Sequence, residues 1–193
     1  LCLAFVSVAF AVGPVEVWRT ARDTGERLQR IDDAFFGTCD SKLPVVELDV
    51  NTTLQTILGF GGAVTEAASI NLLALDEDVR AAVLDAYYDK ERGNGYTLAR
   101  IPINSCDFSP SSWSCDDTED DFAMSNFSLA WGHDPTTTLP VLKEILGVAP
   151  DLKLFGSPWS PPAWMKSNGQ MDGSNTPGLI KRADIHQAWA DFL

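Results

Sequence analysis

From Ile57 to the end of the chain, strand-like segments alternate with segments of helical period, and the connections that follow the strands are long. Strands separated by helices do not pair as hairpins. They pair parallel, and the crossover helices cover the sheet. Ile57 to Ala63 is apolar and rich in glycine, which implies close backbone packing or a sharp turn. Helical sequence follows from about Glu66. A second helix is expected with Asp76 as N-cap. Its Val79, Ala82, Val83, Ala86 and Tyr87 fall on one apolar stripe, and Gly93 and Gly95 end it. Thr97 to Ile103 reads as a strand and Asn104 to about Thr137 as a polar loop. Leu139, Leu142, Ile145, Leu146 and Ala149 form another stripe, stopped by Pro150. Leu152 to Phe155 is a short buried strand, and Asp184 is expected to cap a helix carrying Ile185, Trp189 and Phe192. In parallel sheets of this kind, functional loops follow the C-terminal ends of the strands. Three β/α units suit an open sheet or part of an eight-unit barrel, and spacing alone does not decide between them.

The first part of the chain has a different character. Val15 to Thr20 alternates in strand fashion, Asp23-Thr24-Gly25 supplies a turn, and Arg27 to Ile31 can return as a second strand. Asp32 to Pro44 reads as a loop and Val45 to Val50 as a further strand. Leu1 to Val12 is uncharged and apolar, and Ala9-Phe10-Ala11 fits a small-x-small cleavage pattern, so residues 1–12 are expected to be the remnant of a signal peptide. The expected organisation is thus a leader over 1–12, β-strands over 13–50 and the α/β part over 51–193. The chain begins without Met, and Phe192-Leu193 stops inside an apolar helical pattern, so truncation is expected. On a secretory route, the sequons at Asn51 and Asn126 become glycosylation candidates. Removing the leader removes Cys2 and leaves Cys39, Cys106 and Cys115, an odd number; a bridge between Cys106 and Cys115 stays open.

Composition excludes several functions. Of 193 residues, 14 are basic and 27 acidic, for a net charge of −13. Nucleic-acid binding and a basic membrane-surface patch both need clustered Lys and Arg, so neither is expected. No G-x-G-x-x-G follows a strand and no phosphate-binding G-x-x-x-x-G-K occurs, which disfavours nucleotide cofactors. Two histidines and no C-x-x-C make a metal site unexpected, and Asp116-Asp117 with Glu119-Asp120-Asp121 lack the order of a calcium loop. No G-x-S-x-G elbow is present, and neither His133 nor His186 has an evident nucleophile partner.

Two loops remain. Asn104-Ser105-Cys106-Asp107-Phe108 places a carboxylate beside an aromatic at the end of a strand; Asp107 there is either a turn cap or an acceptor for substrate hydroxyls. Gly156-Ser157-Pro158-Trp159-Ser160-Pro161-Pro162-Ala163-Trp164-Met165 stiffens two indoles with prolines. Such a wall suits the C–H face of a sugar, or it belongs to the core; one of the two tryptophans is expected to be core.

Four segments together resemble glycoside hydrolase family 30, and within it the glucosylceramidase branch. They are Gly59 to Ala68 (GFGGAVTEAA), Arg100 to Ser109 (RIPINSCDFS), Asp120-Asp121-Phe122 with Asn126 to Leu129, and Ser157 to Gly169 (SPWSPPAWMKSNG). The resemblance implies the first three units of a (β/α)₈ TIM barrel, preceded by strands of a β-sandwich side domain. It implies retaining hydrolysis of the β-glucosidic bond of glucosylceramide, with no cofactor. It further implies a lysosomal or extracellular setting, a lipid-presenting activator protein and peripheral contact with membrane lipid. By the same resemblance Asp107 accepts hydrogen bonds from glucose hydroxyls, Phe108 is the aromatic beside it, and Trp159 lines the sugar site. Glu66 stands where the animal enzyme carries Asp and is read as structural. The family's two catalytic carboxylates follow the fourth and seventh barrel strands, so neither is among these residues and the chain alone is expected to be inactive. Alternatives are a non-catalytic sugar-binding or structural module, or another family 30 glycosidase.

Overall fold

A computed structural model describes residues 13–37, 42, 44, 46, 49, 51–173 and 178–193. The expected leader, Cys39 and most of the Val45–Val50 strand lie outside them. The chain divides into two compact units, residues 1–56 and 57–193. In the first, β1 (Val15–Ala21) and β2 (Glu26–Ala34) form an antiparallel hairpin, with Trp18 opposite Arg30 and Ala21 opposite Glu26. Gly25 sits at φ +72° and closes the turn. Arg19 pairs with Glu26 across the strands at 2.6 Å and holds that carboxyl at about 2. Two strands are a hairpin; no sandwich is formed among the described residues.

The second unit is a parallel sheet in the order β3-β4-β5, made by β3 (Gly61–Ala63), β4 (Leu98–Ile103) and β5 (Lys153–Pro158). Between and after the strands run α1 (Glu66–Leu73), α2 (Glu77–Tyr88), α3 (Thr138–Val148) and α4 (Ala183–Phe192). The alternation of strands and helices therefore folds as its period demands. Gly61 pairs with Leu98, and a Cβ on Gly61 would lie 1.6 Å from the Leu98 carbonyl oxygen, so only glycine permits this strand pairing.

The main core lies between sheet and helices. Val64, Leu84, Tyr88, Ala99, Val141, Ile145, Ala149 and Leu152 are its buried members. The stripe expected on α2 is displaced. Val79 and Tyr87 are exposed at 49% and 47%, while Leu84 and Tyr88 are buried. The helix is turned by one residue, about 100°, so that Leu84 and Tyr88 face the core in place of Val79 and Tyr87, while Val83 stays part-buried. Asp76 is the N-cap of α2 but makes no side-chain cap bond. At α4 the N-cap is Arg182; Asp184 lies inside the first turn, accepts from the Ile185 N–H and pairs with Arg182. On α3, Leu139 is exposed and Val141 takes its place in the core.

Candidate functional site

Parallel pairing puts the three strand ends side by side, with Ile103 opposite Pro158. The segments that follow β3, β4 and β5 therefore all leave from one edge of the sheet. Glu66, Asp107 with Phe108, and Trp159 stand on those three segments.

The segment after β4 begins with an uncommon backbone. Asn104 adopts φ +67°, a region that asparagine tolerates better than branched residues. Its side chain is buried and bridges two loops. Oδ1 accepts from the Cys115 N–H at 3.1 Å, and Nδ2 donates to the Ser160 carbonyl at 3.4 Å. The Asp107 loop and the Trp159 loop are thus tied by one residue at the foot of both.

Next comes a tight turn, closed by the Ser109 N–H donating to the Cys106 carbonyl, with Ser109 Oγ accepting from the Cys106 N–H. The turn is capped by Ser109, which leaves the Asp107 carboxylate exposed, with no hydrogen bond or ion pair among the described residues. The Phe108 ring is 60% exposed, and its carbonyl accepts from the Ala67 N–H at 2.9 Å. The loop is held through its backbone and presents its side chains outward.

The two tryptophans of the loop after β5 stand in different surroundings. Trp164 packs edge-on against Phe122 beside buried Met165 and Ile185, and its Nε1–H donates to the Asp116 carbonyl at 3.1 Å. Trp159 immediately follows β5 and is 39% exposed. Ser160 is buried; its hydroxyl donates to the Met171 carbonyl and accepts from Lys166 Nζ, which fixes the loop behind Trp159.

Glu66 is the least expected member. It opens α1 after the N-cap Thr65 and is only 4% exposed. Oε2 accepts from Trp113 Nε1 at 3.0 Å, and Oε1 is hydrogen-bonded to His133 Nδ1. Both partners come from the long loop, 47 and 67 residues further along. Gly132, at φ +72°, lets the backbone touch the Trp113 ring; a Cβ there would sit 2.1 Å from Cε3. No local pattern announces this cluster, because its members meet only once the loop has folded back over α1.

Two cysteines and two acidic residues of the long loop are also covered. Burial, with Asp134 and Asp117 nearby, pushes the Cys115 thiol up to about 11, and Cys106 is buried too; the two are free thiols, not a bridge. Burial raises the Asp116 carboxyl above the ordinary range, and its Oδ2 has no hydrogen-bond partner. Burial also raises Asp134, with the Glu66 charge adding to it against a bond from Thr138. No group of three or more His, Cys, Asp or Glu among the described residues is arranged to hold a metal ion. A cavity of about 350 Å³ opens beside the loops, with Trp113, Asp117, Trp164, Gln170, Met171 and Asp172 among its walls; Asp107, Phe108 and Trp159 do not line it. Of the sequons, Asn51 and Asn126 are both exposed, and Asn126 Nδ2 donates to Asp121.

Residues 57–193 match the family model described as the glycosyl hydrolase family 30 TIM-barrel domain. Among curated proteins, the chain is 35% identical over 187 residues to Putative glucosylceramidase 3 of Caenorhabditis elegans, covering 95% of this chain and 35% of that protein. It is 35% identical over 154 residues to the lysosomal acid glucosylceramidase of Mus musculus, covering 77% and 29%. The chain therefore spans about a third of the length of the relatives it matches. Among solved structures it is similar to the endo-β1,6-glucanase BT3312, with 31% identity and a TM-score of 0.60, over 80% of this chain and 32% of that one.

Proposed function

The chain belongs to glycosyl hydrolase family 30, and from that premise we propose that it is part of a retaining β-glucosidase that cleaves glucosylceramide to glucose and ceramide. Asp107 is the observation that carries this reading: an exposed, unpartnered carboxylate at the C-terminal edge of a parallel sheet, beside the exposed Phe108 and with Trp159 at the end of the neighbouring strand. A carboxylate that accepts no protein hydrogen bond is free to accept sugar hydroxyls. An indole and a phenyl ring supply the apolar faces on which a pyranose packs. In the proposed enzyme one carboxylate attacks the anomeric carbon while a second protonates the departing ceramide oxygen; the second then activates the water that releases glucose. Those two carboxylates belong to strands outside these residues. This chain's contribution is to bind and orient the sugar, and the isolated chain is inactive.

The setting we propose is the secretory route, ending in the lysosome or outside the cell, with glycans on Asn51 and Asn126. The name of the mouse relative, a lysosomal acid glucosylceramidase, supports the lysosomal part of this setting. Presentation of the lipid by an activator protein and peripheral contact with membrane lipid belong to the same proposal. A second reading, a β-1,6-glucanase, draws on the likeness to BT3312. The full-length protein, assayed at acid pH on glucosylceramide in mixed micelles and on β-1,6-linked glucan, separates the two. Hydrolysis of glucosylceramide, with Asp107→Ala and Trp159→Ala each lowering kcat/KM at least about tenfold and leaving the melting temperature in place, is the expected result. Activity confined to the glucan, or variants with unchanged kinetics, refutes it.

A further inference from the structure

We infer that Glu66 is a positioning residue for the sugar-binding loop: with Trp113 and His133 it holds in place the turn that presents Asp107 and Phe108. The inference rests on the glycosidase reading above and adds a residue to it. Glu66 is too deeply buried to touch a substrate, so its role is exerted through what it holds.

The connection can be followed bond by bond. Both carboxylate oxygens are taken by the long loop, one by the Trp113 indole N–H and one by His133. Trp113 is clamped in turn to Ser105 in both directions. Its N–H donates to Ser105 Oγ at 2.9 Å, and its carbonyl accepts from the Ser105 N–H at 3.1 Å and the Ser105 hydroxyl at 2.9 Å. Ser105 lies two residues before Asp107. The residue after Glu66 completes the circuit, since the Ala67 N–H holds the Phe108 carbonyl. The first turn of α1 therefore grips the Asp107–Phe108 turn from both sides, once directly and once through Trp113 and Ser105.

An apolar side chain in place of Glu66 would leave a buried indole N–H without an acceptor. The carboxylate meets both partners at once, one oxygen accepting from the indole N–H and the other hydrogen-bonded to the imidazole. His133 faces two acidic neighbours, Glu66 and Asp134, and its ring lies against Trp113 with centroids 5.7 Å apart.

The test uses the full-length protein and a 4-methylumbelliferyl β-glucoside. Glu66→Gln keeps the shape but turns one acceptor into a donor. His133→Ala removes one of the two bonds, and His133→Gln keeps an N–H able to reach the carboxylate. If the loop is held for sugar binding, Glu66→Gln and His133→Ala raise KM roughly tenfold while kcat stays within about threefold, because the interaction lost is made equally in ground and transition states. His133→Gln then stays within about twofold of wild type, whereas His133→Leu, which fills the space without an N–H, raises KM as His133→Ala does; equal rescue by Gln and Leu would assign His133 a space-filling role and overturn the inference. Unchanged KM in Glu66→Gln and His133→Ala, or a fall in kcat alone, overturns the inference. Should Glu66→Gln fail to fold, His133→Ala decides, since the His133 side chain is 41% exposed and its removal opens no core. A wild-type protein without glucosidase activity overturns the functional reading, and this inference with it; an active wild type with unaltered variants overturns the inference alone.

Discussion

Asn104→Ala tests the physical basis of the site more sharply than removal of any side chain that faces solvent. The substitution cuts both bonds of the bridge between the Asp107 and Trp159 loops. Cys115 is buried, so its N–H is left without an acceptor and without water, at a cost of about 1–3 kcal/mol. The Ser160 carbonyl loses only a long bond of 3.4 Å, which contributes little. Alanine at φ +67° adds about 1 kcal/mol of backbone strain that asparagine partly escapes. The sum is about 2–4 kcal/mol, a large share of the stability of an ordinary domain. Urea unfolding of the full-length protein, followed by tryptophan fluorescence, measures it as a shift in midpoint at constant slope. Asn104→Gly serves as the control. It loses the same bonds; its ease at positive φ and its greater freedom in the unfolded chain oppose each other to within about 1 kcal/mol. A loss below about 0.5 kcal/mol in the alanine variant would refute the bridge. So would full recovery by glycine, which would assign the whole effect to backbone conformation.

Two further outcomes follow from burial and exposure. Asp116 is fully buried with one oxygen unpartnered, and burial raises its carboxyl in the folded state. Its contribution to stability is therefore complete below the ordinary carboxylate range and is lost as pH rises through the raised value. Asp116→Asn cannot ionise, so the melting temperature of the variant minus that of wild type should be more positive at pH 7 than at pH 4; an equal difference at both would show that Asp116 carries no such linkage. The isolated 193-residue polypeptide exposes Phe60 (69%), Leu154 (40%) and Phe155 (52%) on or beside the outer strands of an open parallel sheet. It should self-associate in size-exclusion chromatography, bind an apolar dye and hydrolyse no β-glucoside. A monomer with a cooperative melt, or turnover by pure material, would contradict this.

The parallel sheet was legible because its cause is repeated along the chain. Apolar strand segments separated by helical stripes leave few other ways to bury both. The face of α2 was not, because Val79, Ala82, Val83, Ala86 and Tyr87 match the helical period as well as Leu84 and Tyr88 do, and period alone does not choose between two faces one residue apart. Asp107 and Trp159 could be singled out because each stands at the end of a strand within a recognisable run. Whether Asp107 capped its own turn could not be read, since Ser109, two residues on, is an equally good capping residue and takes that role. Glu66 was marked only by resemblance, as a structural residue, and nothing in the sequence joined it to Trp113 and His133. They lie 47 and 67 residues further along, and nothing in the composition of the intervening loop says which carboxylate will be covered.

The long loop between β4 and α3 explains why these concealed residues matter. It contains only one short helical turn, Asp134–Thr136, so it cannot satisfy its backbone through a ladder or a helix. Isolated backbone turns such as Ser128 N–H to the Cys115 carbonyl share that work with side chains: Ser105 for Trp113, Asn104 for Cys115, Ser114 for Asp116, Asp116 for Thr118, and Asp121 for Ser125 and Asn126. Most of these polar groups are spent on the loop itself, and Asn104 also reaches the Ser160 carbonyl of the loop after β5. A loop organised in this way is specified by several separate bonds rather than by one cooperative element, so single substitutions can loosen part of it without unfolding the sheet. The Asp107–Phe108 turn, proposed to face the sugar, is fixed at one end by Asn104 and at the other by Glu66. Loss of Asn104 should move the Asp107 turn relative to Trp159, whereas loss of Glu66 should move it relative to α1. If the two are independent, the KM effects of Asn104→Ala and Glu66→Gln multiply in the double variant; if both act by unfastening the same turn, the second substitution adds little.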